Sequence, residues 1–177
     1  MTSLLGISGS LRKESRNTAL LHEAARLFAP DAFTMADIRF PLYDGDVEDS
    51  DGIPQIVDVL REQIIKADAV IISTPEYNGN ISGVLKNALD WLSRGKPKPW
   101  EGKPVAIMSA AAGRSGGART QFSLRNCMTP FNPRILQGPE VMIAAAGSAF
   151  GDNGQLINEF SIKSLTRLMD ALRSEIR

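Results

Sequence analysis

From residue 3 to the C-terminus, short apolar runs alternate with stretches whose apolar residues recur at helical spacing, and this alternation leaves few folds open. Residues 3–7 read as a first strand and residues 17–28 as a helix, with Leu20, Leu21, Ala24, Ala25 and Phe28 on one face and Asn17 as its N-cap. Residues 32–38 form a weak second strand, and residues 40–52, rich in Asp, Gly and Pro, a long loop. Pro54 opens a helix to Lys66. Residues 69–73 are the clearest buried strand, 74–80 a loop, 82–93 an amphipathic helix and 95–102 another loop. Residues 104–110 give a fourth strand, 113–117 a glycine-rich turn and 118–128 a helix. A fifth strand over 135–143 is interrupted by Gly138-Pro139, and a last helix starts near Leu156. Alternation of this kind predicts one α/β domain over residues 1–177, with a five-stranded parallel sheet in the order 2-1-3-4-5 and helices on both faces.

Charge and cysteine content narrow the function classes. Twenty basic and twenty acidic residues give a formal net charge of zero, so there is no basic field for a nucleic-acid partner. No apolar run approaches the roughly 20 residues of a membrane helix. Met1-Thr2-Ser3-Leu4-Leu5 lacks a basic flank and runs into Gly6-Ile7-Ser8, which fits a first strand better than a signal peptide. Cys127 is the single cysteine, so no internal disulfide forms and a reducing cytoplasm is expected.

In an open parallel sheet, ligands sit beyond the carboxyl ends of the strands where strand order reverses, here between the first and third strands. Three loops should meet there. The first, Ser8-Gly9-Ser10-Leu11-Arg12-Lys13-Glu14-Ser15-Arg16-Asn17, brings hydroxyls, a guanidinium and an amide to a helix N-terminus. Backbone N–H groups at such a terminus attract anions, and Arg suits bidentate contact with phosphate. The glycines match neither the dinucleotide fingerprint nor the P-loop, and the hydroxyls suit a terminal monophosphate. An ordinary polar turn with Ser and Asn caps is the competing reading. In the second loop, Thr74-Pro75-Glu76-Tyr77-Asn78-Gly79-Asn80, a rigid Pro and a permissive Gly let backbone amides approach a flat ring, or make a plain turn. The third, Ser109-Ala110-Ala111-Ala112-Gly113-Arg114-Ser115-Gly116-Gly117, has small residues against which a ring can lie. Arg114 reads equally as a phosphate contact or as a solvated side chain.

Other chemistries lack their residues. There is no HExxH motif and no cysteine pair for a metal. The lone histidine, His22, falls inside the first helix and reads as a surface or packing residue, which argues against a Ser-His-Asp site. Cys127 reads as a buried thiol, with no cluster of positive charge to activate it.

With these loops in view, the sequence resembles the NADPH-dependent FMN reductase family. Gly6-Ile7-Ser8-Gly9-Ser10-Leu11-Arg12 with Ser15-Arg16-Asn17 looks like its phosphate loop. Pro75-Glu76-Tyr77-Asn78 with Gly83-Val84-Leu85-Lys86-Asn87-Ala88-Leu89-Asp90-Trp91 looks like its most specific signature, and residues 109–117 resemble its third loop. The resemblance implies a flavodoxin-like three-layer fold that binds FMN. It implies that Ser10, Arg12, Ser15 and Asn17 hold the FMN phosphate, that Pro75, Glu76, Tyr77, Asn78 and Gly79 pack on the ring, and that Ser109 and Gly113 line its other edge. Arg16 and Asn80 depart from common family residues, which bears on acceptor preference. The implied reaction moves a hydride from NADPH or NADH to flavin N5. The electrons then pass to a small acceptor such as a quinone, flavin, metal oxyanion or azo compound, with ping-pong kinetics. The flavin carries the reactive atom, so no dedicated catalytic side chain is required. A homodimer or homotetramer is implied as well, with Trp91, Trp100 and Phe122 read either as interface aromatics or as core. Two other readings are an FMN electron carrier without NAD(P)H turnover and a signalling receiver domain. Carriers tend to be acidic, and a receiver would need clustered acids where this first strand ends in Ser8-Gly9-Ser10.

Overall fold

A strand covered by helices on both faces has no solvent side, and its sequence is apolar almost throughout. In the computed structural model, which describes residues 1–176, this holds for β1 (Ser3–Ser8). The chain continues through α1 (Arg16–Phe28) and β2 (Ala32–Met35), an edge strand whose exposure alternates. Next come α2 (Gly45–Asp51), α3 (Gln55–Lys66), β3 (Ala69–Ser73), α4 (Gly83–Leu92) and β4 (Pro104–Ala110). The last part holds α5 (Ala118–Met128), β5 (Arg134–Ile135), β6 (Val141–Ile143) and α6 (Glu159–Ser174). All pairings are parallel and the order is β2-β1-β3-β4-β5, with β6 also on β4. This is the expected flavodoxin-like doubly wound sheet.

Period-two alternation along the strands builds two cores. Leu5, Ile7, Val70, Ile72, Val105 and Ile107 face α3, α4 and α5. Leu4, Ala69, Ile71, Ala106 and Met108 face α1 and α6. Trp91 and Trp100 lie within the first of these cores, fully buried, so of the three aromatic candidates for an interface only Phe122, 63% exposed, is at the surface.

Several boundaries move, each for a local reason. Asn17 does not cap α1: Ser15 does, its Oγ accepting the Thr18 N–H at 3.2 Å, and Asn17 turns inward. Pro54 flanks α3 as its N-cap. The long loop contains α2, capped by Asp44 and buried nowhere along its length, so it carries no apolar periodicity to announce it. The fifth strand is split at Gly138-Pro139 into β5 and β6, which pair with successive parts of β4. Leu156 belongs to a hairpin-like excursion in which it bridges Phe150, and Asn158 caps α6. No helix among the described residues is long and apolar enough to cross a membrane.

Candidate functional site

The three loops converge where β1 gives way to β3. Gly9 makes that approach possible. Its N–H donates to Ser73 O at 2.8 Å, and a Cβ there would lie 2.5 Å from Thr74 Oγ1 and 3.1 Å from Thr74 Cα. The chain then wraps into α1, whose first-turn N–H groups at Arg16 and Asn17 have no residue four positions back in the helix to bond. Ser15 Oγ and Ser10 Oγ each accept a local backbone N–H, from Thr18 and Arg12, which leaves their hydroxyl hydrogens to donate. Ser8 Oγ is paired with Thr18 Oγ1 at 2.9 Å, beneath the loop.

Asn17 is buried and ties three segments together. Its Nδ2 donates to Ala110 O at 2.9 Å, and its Oδ1 accepts from Ala110 N at 3.0 Å and from Ser73 Oγ at 2.8 Å. The side chain is therefore committed to the ends of β3 and β4, and what Asn17 presents to an anion is its backbone N–H.

The second loop ends in a two-residue turn. Tyr77 and Asn80 exchange N–H···O bonds at 3.0 and 3.1 Å around Asn78 and Gly79, both at positive φ, the geometry that favours Asn-Gly. Pro75 O accepts from Thr120 Oγ1 at 3.1 Å, and Glu76 Oε2 accepts the Arg119 N–H at 3.2 Å. Glu76 thus supplies a side-chain acceptor to the first turn of α5, whose own cap, Gly117, has none. The third loop is fixed from below. Ser109 Oγ donates to Gly116 O at 2.7 Å and accepts from Gln121 Nε2 at 2.9 Å.

These loops enclose a cavity of about 490 Å3. Of the residues singled out in the sequence, Ser10, Arg12, Ser15, Asn17, Pro75, Glu76 and Tyr77 line it. Four expected residues are placed otherwise. Asn78 and Gly79 form the turn that presents Tyr77, Ser109 lies wholly buried behind the wall, and Gly113 is exposed on the loop beyond it. The wall at that side is made by Ala110, Ala111 and Ala112. Arg16 also reaches across: its guanidinium donates to Gly147 O at 3.3 Å and sits 5.8 Å over the Phe150 ring. Arg114 is exposed. Ala146 and Gly147 complete the lining and were not foreseen. A signal existed, because Ala144-Ala145-Ala146-Gly147 after β6 repeats the Ala110-Ala111-Ala112-Gly113 that begins at the last residue of β4. A second cavity, of about 550 Å3 beside Trp100 and Cys127, touches none of the three loops.

FMN fits this arrangement. The volume is that of an ordinary cofactor site. At one end lie an open helix N-terminus, two hydroxyls and Arg12 for a phosphate; at the other, alanines and the Pro75–Tyr77 backbone for a flat ring.

Comparisons with known proteins agree. The sequence pattern of the NADPH-dependent FMN reductase family matches residues 2–148. An NAD(P)H-dependent FMN reductase from Pseudomonas aeruginosa is 45% identical over 176 residues, covering 98% of this chain and 95% of that protein. A quinone reductase from Escherichia coli is 39% identical, covering 92% and 89%. Among solved structures, FerB, a flavoenzyme NAD(P)H:(acceptor) oxidoreductase from Paracoccus denitrificans, superposes with a TM-score of 0.88 at 31% identity, over 99% of this chain and 97% of that one.

Proposed function

This chain belongs to the NADPH-dependent FMN reductase family, and we propose that it carries electrons from NADPH or NADH to a quinone or another small acceptor, each substrate entering the same crevice in turn. The observation that carries this reading is the cavity lined by all three loops at the switch point, with an anion-holding corner and a flat, small-residue wall. Relatives named as FMN and quinone reductases support the choice of substrates. Free flavin, metal oxyanions and azo compounds belong to the same class of small acceptor.

When bound, FMN would supply the redox chemistry that the side chains lack. The chain binds and orients it. Ser10, Ser15, Arg12 and the α1 N–H groups hold the phosphate, and Pro75–Tyr77 with Ala110–Ala112 fix the ring. The Asn78-Gly79 turn presents Tyr77, Ser109 holds the third loop at its height, and Gly113 leaves the loop edge open. Tyr77, 48% exposed, borders the open side through which substrates reach the ring. One crevice cannot seat donor and acceptor together, so ping-pong kinetics follow.

A homodimer or homotetramer in the cytoplasm completes the proposal. Phe122 on the surface of α5 is an exposed aromatic available to a second copy, and a chain with one cysteine forms no internal disulfide.

The test is an anaerobic visible spectrum of the FMN-loaded protein before and after one equivalent of NADPH. Bleaching that a quinone reverses supports the proposal. Bound flavin left oxidised would make the protein an electron carrier. Intersecting instead of parallel double-reciprocal lines would overturn the alternation of substrates.

A further inference from the structure

Another cavity, of about 240 Å3, lies on the other side of the first loop. Ser10 and Arg12 line both it and the FMN crevice, so the two share a wall. Its far side is the chain leaving β2, from Met35 to Arg39, and the paired hydroxyls of Ser8 and Thr18 are also in its lining.

The ionisable groups of this lining are Arg12, Lys13, Arg39 and Asp37, three cations against one anion. Lys13 has no ion pair among the described residues. Arg39 contacts Asp37 at 3.2 Å, but both side chains are more than half exposed. A pair so solvated contributes little and is readily exchanged for a better anion. With Arg12 given to the FMN phosphate, Lys13 and Arg39 against Asp37 still leave one uncommitted positive charge, and it sits beside the crevice into which a nicotinamide dinucleotide must reach. NADPH differs from NADH by one group, a ribose 2′-phosphate close to a dianion at neutral pH. In the proposed reading FMN's own phosphate uses the α1 N-terminus from within the neighbouring crevice.

We propose that this cavity receives the 2′-phosphate of NADPH and that Lys13 and Arg39 select NADPH over NADH. The assignment rests on the reading of this chain as an NAD(P)H oxidant. Arg12 belongs to the FMN site, so it is left intact in the test.

The experiment compares FMN-loaded wild type with Lys13→Ala, Arg39→Ala and the double variant, using NADPH and NADH as alternative donors. KM for NADPH should rise about tenfold in the double variant, because the charged hydrogen bonds lost to one phosphate come from exposed, solvent-screened side chains. KM for NADH, kcat and flavin content should stay as in wild type. In calorimetry, 2′,5′-ADP should bind wild type more tightly than 5′-AMP does, and the double variant should lose that difference. Lys13→Arg should retain NADPH preference. Equal changes for both donors, no change for either, or a wild type indifferent to the 2′-phosphate would overturn the assignment while leaving the oxidoreductase reading in place. Flavin that neither donor bleaches would overturn both.

Discussion

Asn17 and Ala110 exchange two hydrogen bonds, side-chain amide to backbone at 2.9 and 3.0 Å, across 93 residues of sequence. This reciprocal pair joins the first turn of α1 to the end of β4 and sets the width of the cavity between them. With Ser73 Oγ also bonded to Asn17 Oδ1, Asn17→Ala leaves two backbone groups and a buried hydroxyl without partners. We expect a loss of about 3 kcal/mol in stability, read from urea unfolding of the apoprotein, together with weaker FMN binding as the two loops lose their common tie. Stability equal to wild type would show that water replaces the amide at no cost.

The strands that form the sheet's middle were legible because burial on both faces requires uninterrupted apolar runs, and β3, β4 and α5 have the predicted bounds. What was not legible depended on contacts distant in sequence. Asn17 has the composition of a cap, and only the position of Ala110 shows that it faces inward. Ser109 precedes a loop of the right character, yet it belongs to β4, whose alternation turns its side chain behind the wall, toward Gln121. The short α2 has no buried face, and a helix without one has no periodic pattern to read. Ala146 and Gly147 reach the cavity because β6 pairs beside the end of β4, a register fixed by the interruption at Gly138-Pro139.

Arg12 lines the crevice, is exposed, and makes no side-chain hydrogen bond to other described residues. Its removal should leave the fold intact and act on the ligand alone. We expect Arg12→Ala to weaken FMN binding by about 1.5–3 kcal/mol, the worth of a hydrogen bond to a charged group, with an unchanged unfolding midpoint for the apoprotein. A flavin titration that reproduces the wild-type affinity would remove Arg12 from the phosphate site.

Gly9 is where the first and second loops touch. A methyl group there meets Thr74 at its hydroxyl, its Cβ and its Cα, and backbone does not yield as a flexible side-chain end does. Gly9→Ala should therefore push the two loops apart, at a cost of about 1–3 kcal/mol for overpacking, and lower FMN affinity as well. Gly45→Ala, on α2 and outside the three loops, is the control, because a Cβ there would meet only the Tyr43 hydroxyl, at 3.9 Å. Thermal melts and flavin titrations of both variants check this; a Gly9→Ala protein that binds FMN normally would mean that the loops adjust independently.

At the opposite end of the sheet, Asp68 Oδ2 accepts the Ser3 N–H at 2.7 Å and the Ser3 hydroxyl at 2.8 Å. These bonds hold the carboxyl below the usual carboxylate range, with the Lys103 ammonium and the chain's amino terminus adding in the same direction and partial burial opposing. A depressed acid in the folded state contributes stability that is complete above the unfolded-chain value of about 4 and disappears as pH falls through the folded value. Burial pushes the Lys103 ammonium down, and the Asp68 carboxylate beside it opposes that shift. Asp68→Asn should accordingly lower the melting temperature at neutral pH and narrow the gap to wild type as the pH drops below 4. Melting curves taken from pH 7 to pH 2.5 decide it: a constant offset between the two proteins would assign the loss to packing and not to the charge.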